Sequence, residues 1–124
     1  MRHLSNLKGL EADEILDILT RAKQIKANPE EYHSLLSKQS MAMLFQKTST
    51  RTRVSFEVAM TELGGHAIYV DWMTSNFVLS SIEYETKYLS RNVSCIMARL
   101  MRHDDLQTIM AASQVPVING CDEK

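Results

Sequence analysis

The architecture of the chain follows from one segment, Phe45-Gln46-Lys47-Thr48-Ser49-Thr50-Arg51-Thr52-Arg53. These nine residues contain three cationic and four hydroxyl side chains. They follow an apolar run, residues 41–45, that is short enough to be a buried strand. They precede apolar residues that recur at helical spacing, namely Val54, Phe56, Ala59, Met60 and Leu63. The order predicts a strand, a short polar loop and a helix from about Thr52 to Leu63.

A loop that leads from a strand into a helix is suited to binding an anion. The first helical turn carries unpaired backbone N–H groups and the positive end of the helix dipole. Ser49, Thr50 and Thr52 add hydroxyl donors, and the planar guanidinium of Arg51 can hold two phosphate oxygens. The alternative is that the hydroxyls are ordinary N-caps and the arginines are solvated, and spacing alone leaves both interpretations open. The segment has no glycine, which argues against a Walker A loop.

Strand and helix patterns alternate along the rest of the chain. The predicted elements are a helix over 11–27, a strand over 66–70, a helix over 81–91, a strand over 93–98, a helix from Asp104 to Ala112 and a strand over 115–118. Ser80 and Glu83 have the spacing of a capping box. This alternation predicts an α/β fold, a three-layer α-β-α domain with a mostly parallel four-stranded sheet.

Arg99 stands where the third predicted strand ends, and the loop at 47–53 follows the end of the first. Because the carboxyl ends of parallel strands share one edge of the sheet, Arg51 and Arg99 are expected to meet over one crevice. Two arginines there would suit a ligand with two acceptor sites. The alternative for a lone arginine at a strand end is simple solvation.

Composition narrows the classes of partner. A chain of 124 residues is one domain's length, and its net charge of −1 gives no electrostatic case for nucleic acid or an anionic membrane. Cys95 and Cys121 do not form a metal-ligand spacing, so no metal is expected. No segment approaches membrane-spanning length and Met1–Leu4 lacks the apolar run of a signal peptide, which predicts a cytoplasmic protein.

The residues from Phe45 to Glu57 resemble the carbamoyl-phosphate signature of the aspartate/ornithine carbamoyltransferase family. Lys47 resembles the ornithine branch, as do His3-Leu4 with the Leu10–Ile25 helix and the segment 115–120. The resemblance implies that residues 1–124 are a carbamoyl-phosphate-binding domain. It also implies a truncated first half of the family fold, incomplete and without the second domain that binds the amino acid.

The resemblance assigns roles to individual residues. It implies that Ser49, Thr50, Arg51 and Thr52 bind the phosphate and that Arg99 contacts the carbamoyl oxygen and phosphate. Arg51 and Arg99 are then the catalytic residues, and Asn76 or Ser75 stands near the position where the family has a further carbamoyl-phosphate contact. The implied reaction is transfer of the carbamoyl group to the δ-amine of ornithine, which gives citrulline and phosphate without a metal or an organic cofactor.

The resemblance also implies a homotrimer in which residues 71–79 reach the neighbouring subunit's active site. This chain departs from the family there, because Trp72, Met73, Phe77, Val78 and Leu79 make the segment apolar. The acceptor therefore stays open between ornithine, aspartate, putrescine and an acylated ornithine. The alternative class is a non-catalytic association module, and by itself the chain is expected to be inactive or nearly so.

Overall fold

The computed structural model describes residues 2–121 of the 124-residue chain. Met1 and residues 122–124, which the predicted domain includes, lie outside the described residues. The principal elements are α1 (Ala12–Ala27), β1 (Ser40–Phe45), α2 (Thr50–Glu62), β2 (His66–Asp71), α3 (Ile82–Ser90), β3 (Cys95–Arg99), α4 (His103–Ala112) and β4 (Val117–Asn119). Short 3₁₀ turns lie at Pro29–Tyr32, Trp72–Thr74 and Asn76–Val78.

The four strands form one parallel sheet in the order β2-β1-β3-β4. Successive side chains of a strand point to opposite faces, so β1 contributes to two separate cores. Met41, Met43 and Phe45 pack with Met60 of α2 on one face. Ala42 and Leu44 pack in a second cluster that includes Leu106 and Ile109 of α4. Helices therefore cover both faces of the sheet, and the predicted three-layer parallel α/β fold is confirmed.

Helix α2 begins at Thr50, two residues before the predicted start, and its buried face is rotated from the predicted one. Val54 and Ala59 were expected inward, but both are exposed. The row that faces the sheet is Arg53, Phe56 and Met60, whose spacing of three and four residues follows one helix face. The aliphatic stem and guanidinium of an arginine occupy a position that the apolar pattern assigns to valine.

Several other boundaries differ from the predictions, and β4 for example is Val117–Asn119 where 115–118 was predicted. Ser81 is the N-cap of α3 and accepts a hydrogen bond from the backbone N–H of Tyr84, so the predicted capping box of Ser80 and Glu83 is wrong by one residue. Helix α4 begins at His103, which places Asp104 in the first turn rather than at the cap. Strand β3 begins at Cys95, two residues after the predicted start, and its register with β1 begins at the pair of Met41 and Cys95.

The apolar segment at 71–79 is partly explained by packing. Trp72 and Phe77 are buried and their rings stack with centroids 4.4 Å apart. The side chains of Asp71 and Ser75 cap the two 3₁₀ turns by accepting hydrogen bonds from the N–H groups of Met73 and Phe77. Leu79 remains 83% exposed, so the segment keeps an apolar tip.

Candidate anion-binding site

The candidate site lies at the carboxyl edge of the two central strands. β1 and β3 are parallel neighbours, and their last residues, Phe45 and Arg99, are paired in register. The chain leaves β1 towards β2 on one side and leaves β3 towards β4 on the other. Loops that diverge in this way open a crevice at the topological switch point of the sheet, which is where open α/β folds bind ligands.

The amino-terminal end of α2 faces this edge. Ser49 is the N-cap, and its Oγ accepts a hydrogen bond from the backbone N–H of Thr52 at 3.3 Å. Thr50 and Arg51 are the first two helical residues and both are exposed. The first turn of α2, which lies wholly within the described residues, contains no acidic side chain. The positive end of the helix dipole is therefore not offset by a local carboxylate.

Arg99 connects this helix terminus to the end of β4. Its Nη1 donates to Thr52 Oγ1 at 2.7 Å and to the carbonyl oxygen of Gly120 at 3.4 Å. Its Nε is buried and has no hydrogen-bond partner among residues 2–121. A buried donor without an acceptor costs about 1–3 kcal/mol. Arg99 is thus held firmly beside Thr52 while one of its donors is left for another acceptor.

The two arginines of the 45–53 segment have different surroundings. The guanidinium carbon of Arg53 lies 3.7 Å from the ring centroid of Tyr69, and its Nε is 3.4 Å from a carboxylate oxygen of Glu57. Arg53 therefore packs against β2, whereas Arg51 is exposed at the start of α2. The guanidinium of Arg53 is thus engaged by Tyr69 and Glu57, and a role for Arg51 in ligand binding stays a prediction.

Gln46 joins the site and was not singled out by the sequence. It follows β1 directly, and its side chain bonds to the backbone N–H of Met101 and to Asp105. The available signal was its place immediately after a buried strand, at the edge where ligands bind. No local pattern indicates partners that are more than fifty residues away.

Asn76 is the predicted site residue that the contacts do not connect to the others. It lies in the turn after β2, at the same edge of the sheet, with its side chain exposed. No hydrogen bond within residues 2–121 joins its side chain to Ser49, Thr52 or Arg99. Its role in ligand binding stays a prediction.

Neither a metal cluster nor a membrane-spanning helix is found among the described residues. Between Arg2 and Cys121, no three histidine, cysteine, aspartate or glutamate side chains come together in a way that could hold a metal ion. Within the same range, none of the helices combines the length and the apolar character that crossing a membrane requires.

The fold and the site together define a parallel α/β domain whose switch point carries hydroxyl, backbone and guanidinium donors. Residues 2–124 match the family described as "Aspartate/ornithine carbamoyltransferase, carbamoyl-P binding domain", and the chain belongs to this family. The prediction made from residues 45–57 is confirmed.

Individual relatives agree with this assignment. The catabolic ornithine carbamoyltransferase of Halobacterium salinarum is 40% identical over 121 residues, which are 97% of this chain and 41% of the relative. The ornithine carbamoyltransferase structure from Pyrococcus furiosus superimposes with a TM-score of 0.91 at 44% identity, over 98% of this chain and 40% of that one. The catalytic subunit of M. jannaschii aspartate transcarbamoylase gives a TM-score of 0.87 at 33% identity, over 100% and 42%. The chain spans about two fifths of the length of the curated relatives it matches.

Proposed function

We propose that this chain supplies the carbamoyl-phosphate site of a carbamoyltransferase that acts on ornithine. Ser49, Thr50, Arg51 and Thr52 hold the phosphate at the start of α2, and Arg99 contacts the carbamoyl oxygen and the phosphate. The observation that carries the proposal is the buried Nε of Arg99, which has no hydrogen-bond partner among residues 2–121, in a guanidinium whose Nη1 lies 2.7 Å from Thr52 Oγ1. An oxyanion in the crevice would provide the missing acceptor.

The proposed chemistry depends on stabilising negative charge. The δ-amine of ornithine attacks the carbonyl carbon of carbamoyl phosphate, a C–N bond forms, the C–O bond to phosphate breaks and the amine loses a proton. The tetrahedral intermediate carries an oxyanion and the leaving group is a phosphate. Preorganised N–H, hydroxyl and guanidinium donors lower the barrier for such charge development without a covalent intermediate. Arg51 and Arg99 are the catalytic residues in this scheme.

The acceptor is proposed from the relatives. The relatives at 40% and 42% identity are ornithine carbamoyltransferases, although other ornithine carbamoyltransferase structures, at 32–34%, are no more similar to this chain than the aspartate transcarbamoylase at 33%. Ornithine is therefore our first choice, with aspartate, putrescine or an acylated ornithine as alternatives. We also propose a cytoplasmic homotrimer with a role in arginine metabolism.

Calorimetric titration of this chain with carbamoyl phosphate and with inorganic phosphate tests the site. We expect saturable binding that prefers carbamoyl phosphate. Arg51→Ala should weaken it by about tenfold or more, since a hydrogen bond to a charged group contributes roughly 1.5–3 kcal/mol. Arg53→Ala is the matched control, because Arg53 packs on Tyr69 and its loss should lower stability while affinity is kept.

Two results would contradict the site. One is the absence of binding by a chain that circular dichroism shows to be folded, and the other is equal affinity in the wild type and Arg51→Ala. The acceptor is tested by adding the remaining three fifths of the Pyrococcus furiosus enzyme as a separate polypeptide and assaying each candidate amine. Failure of a folded, reconstituted protein to transfer the carbamoyl group would favour the alternative of a non-catalytic association module.

A further inference from the structure

We propose that Gln46 is a positioning residue whose side-chain amide fixes Arg99 against Thr52 at the anion site. This inference rests on the proposed function as far as it concerns ligand affinity. The structural part of it, the placement of Arg99, can be measured without a ligand.

Gln46 makes three hydrogen bonds, one to the last residue of β3 and two to the segment that follows it. Its backbone N–H donates to the carbonyl oxygen of Arg99 at 3.0 Å, which extends the parallel ladder one residue beyond β1. Its Oε1 accepts from the backbone N–H of Met101 at 2.6 Å. Its Nε2 donates to Asp105 Oδ2 at 2.9 Å, in the first turn of α4. One residue therefore connects the end of β1 to the end of β3 and to the helix after it.

These bonds restrain the backbone on both sides of the Arg99 side chain. The carbonyl of Arg99 and the N–H of Met101 are both held by Gln46, and Leu100 between them is fully buried. The guanidinium of Arg99 then reaches Thr52, in the first turn of α2. Gln46 itself stands three residues before Ser49, the N-cap of α2. The site has two halves, the start of α2 and the Arg99 side chain, and both are thus positioned relative to Gln46.

The contacts require an amide at this position. A glutamine side chain offers an acceptor to the N–H of Met101 and a donor to the carboxylate of Asp105 at the same time. A glutamate could still accept from Met101, but it would place a second carboxylate against Asp105. The repulsion would push the two loops apart. Changing Asp105 to asparagine in the same chain would supply a donor to the new glutamate, so that the bond between residues 46 and 105 is restored with donor and acceptor exchanged while the bond from the Met101 N–H is kept in its original direction.

This reversal defines the experiment. The wild-type chain, Gln46→Glu, Asp105→Asn and the double variant Gln46→Glu/Asp105→Asn are compared in two measurements. The first is the affinity for carbamoyl phosphate by calorimetry. The second is the NMR resonance of Arg99 Nε–Hε in the free chain, which should be observable because this group is buried. Arg53→Ala serves as a control, because it should lower stability without removing a hydrogen bond of Gln46 or Arg99.

We expect Gln46→Glu to shift the Arg99 Nε–Hε resonance and to weaken carbamoyl-phosphate binding by about tenfold, the equivalent of one hydrogen bond to a charged group. The double variant should return the resonance to its wild-type position and the affinity to within about threefold of wild type. Arg53→Ala should change neither. If Gln46 has a purely structural role, the shift of the Arg99 resonance and the loss of affinity should instead parallel the loss of thermal stability in all variants.

The inference is overturned if the Arg99 resonance in Gln46→Glu coincides with wild type, or if the double variant fails to restore it in a folded chain. A wild-type chain that does not bind carbamoyl phosphate would count against the proposed function alone. The resonance comparison would still decide whether Gln46 positions Arg99.

Discussion

Arg51 and Arg53 show how helix phase separates two residues that look alike in the sequence. They are two positions apart on α2, which is a rotation of about 200° and places them on opposite faces. Arg53 stacks on Tyr69 of the neighbouring strand, whereas Arg51 is exposed in the first turn. Ser49 was interpreted either as an N-cap or as a phosphate ligand. Its hydroxyl caps α2 and also stands at the proposed phosphate site.

Cys95 is a residue whose thiol acidity is changed by burial. It is partly buried at the start of β3, where it pairs with Met41 and packs against the methionine-rich cluster between the sheet and α2. Burial raises the pKa of the Cys95 thiol above its ordinary value, since the thiolate is poorly solvated there. The thiol therefore behaves as a small apolar side chain.

Replacing Cys95 by alanine should change how stability depends on alkaline pH. Because the folded pKa is higher than the unfolded pKa, the contribution of the thiol is complete below the unfolded value of about 8.5 and is lost as pH rises through the folded value. The free energy of unfolding of the wild type should therefore fall faster than that of Cys95→Ala between pH 7 and pH 10. Urea denaturation at a series of pH values measures this, and parallel curves would show that burial does not act on this thiol.

At the scale of elements, the amino-terminal segment completes one edge of the sheet. β4 is only three residues long, and Leu4 pairs with it through two backbone hydrogen bonds of 2.8 Å, to Val117 and from Asn119. Nδ1 of His3 accepts a further bond from the backbone N–H of Val117 at 2.9 Å. A side chain thus satisfies a strand donor that would otherwise be left unpaired beside a buried residue. The short edge strand is covered by these contacts.

The role of His3 can be tested with a matched pair of variants. His3→Ala removes the acceptor for the Val117 N–H and should lower the free energy of unfolding by about 1–3 kcal/mol, the cost of a buried unpaired donor. His3→Asn should retain most of the stability, because its Oδ1 can stand close to where Nδ1 was. Chemical denaturation of both variants provides the measurement. Equal losses in the two variants would mean that the imidazole acts by packing and not as an acceptor.

At the scale of the whole molecule, α1 is the α-helix without a buried residue. None of its residues is buried, and Leu16, Ile18 and Leu19 are 59%, 52% and 55% exposed. A groove of about 950 Å³ separates α1 from α2, with Ala22, Ile25, Ala59 and Leu63 among its lining residues. Apolar side chains of α1 are therefore left uncovered within the described residues. Exposed apolar patches of this kind promote association.

We expect the isolated chain to self-associate as its concentration rises, and we expect α1 to carry much of the contact. Leu16→Gln combined with Leu19→Gln should lower the average mass measured by light scattering at high concentration. Leu79→Ser is the control for the exposed tip after β2, because Leu79 is the more exposed side chain but lies away from α1 in the sequence. A strictly monomeric wild type would contradict the prediction. A fall in mass with Leu79→Ser alone would assign the contact to the tip.

The order of elements could be predicted because it depends on local patterns. The fully apolar run of β1, the hydroxyls before α2 and the alternation of strands with helices each lie within a few residues of one another. The helix starts that were wrong, those of α2, α3 and α4, differ by one or two residues, since several polar residues near a helix start could each serve as its cap. The buried face of α2 was predicted in part, because Phe56 and Met60 lie inward as expected while Arg53 packs beside them and Val54 is exposed.

The sequence by itself determined the fold class, the family and the identity of most proposed ligand-binding residues, because these depend on short-range spacing and on a long motif. Only the tertiary structure decided which donors share one crevice. The contact of Arg99 with Thr52 spans 47 residues, and the bonds of Gln46 span 55 and 59. Such contacts depend on which strands become neighbours and in what register, and no local periodicity carries that information. Only the folded structure likewise shows that Arg99 Nε is buried and has no hydrogen-bond partner among residues 2–121.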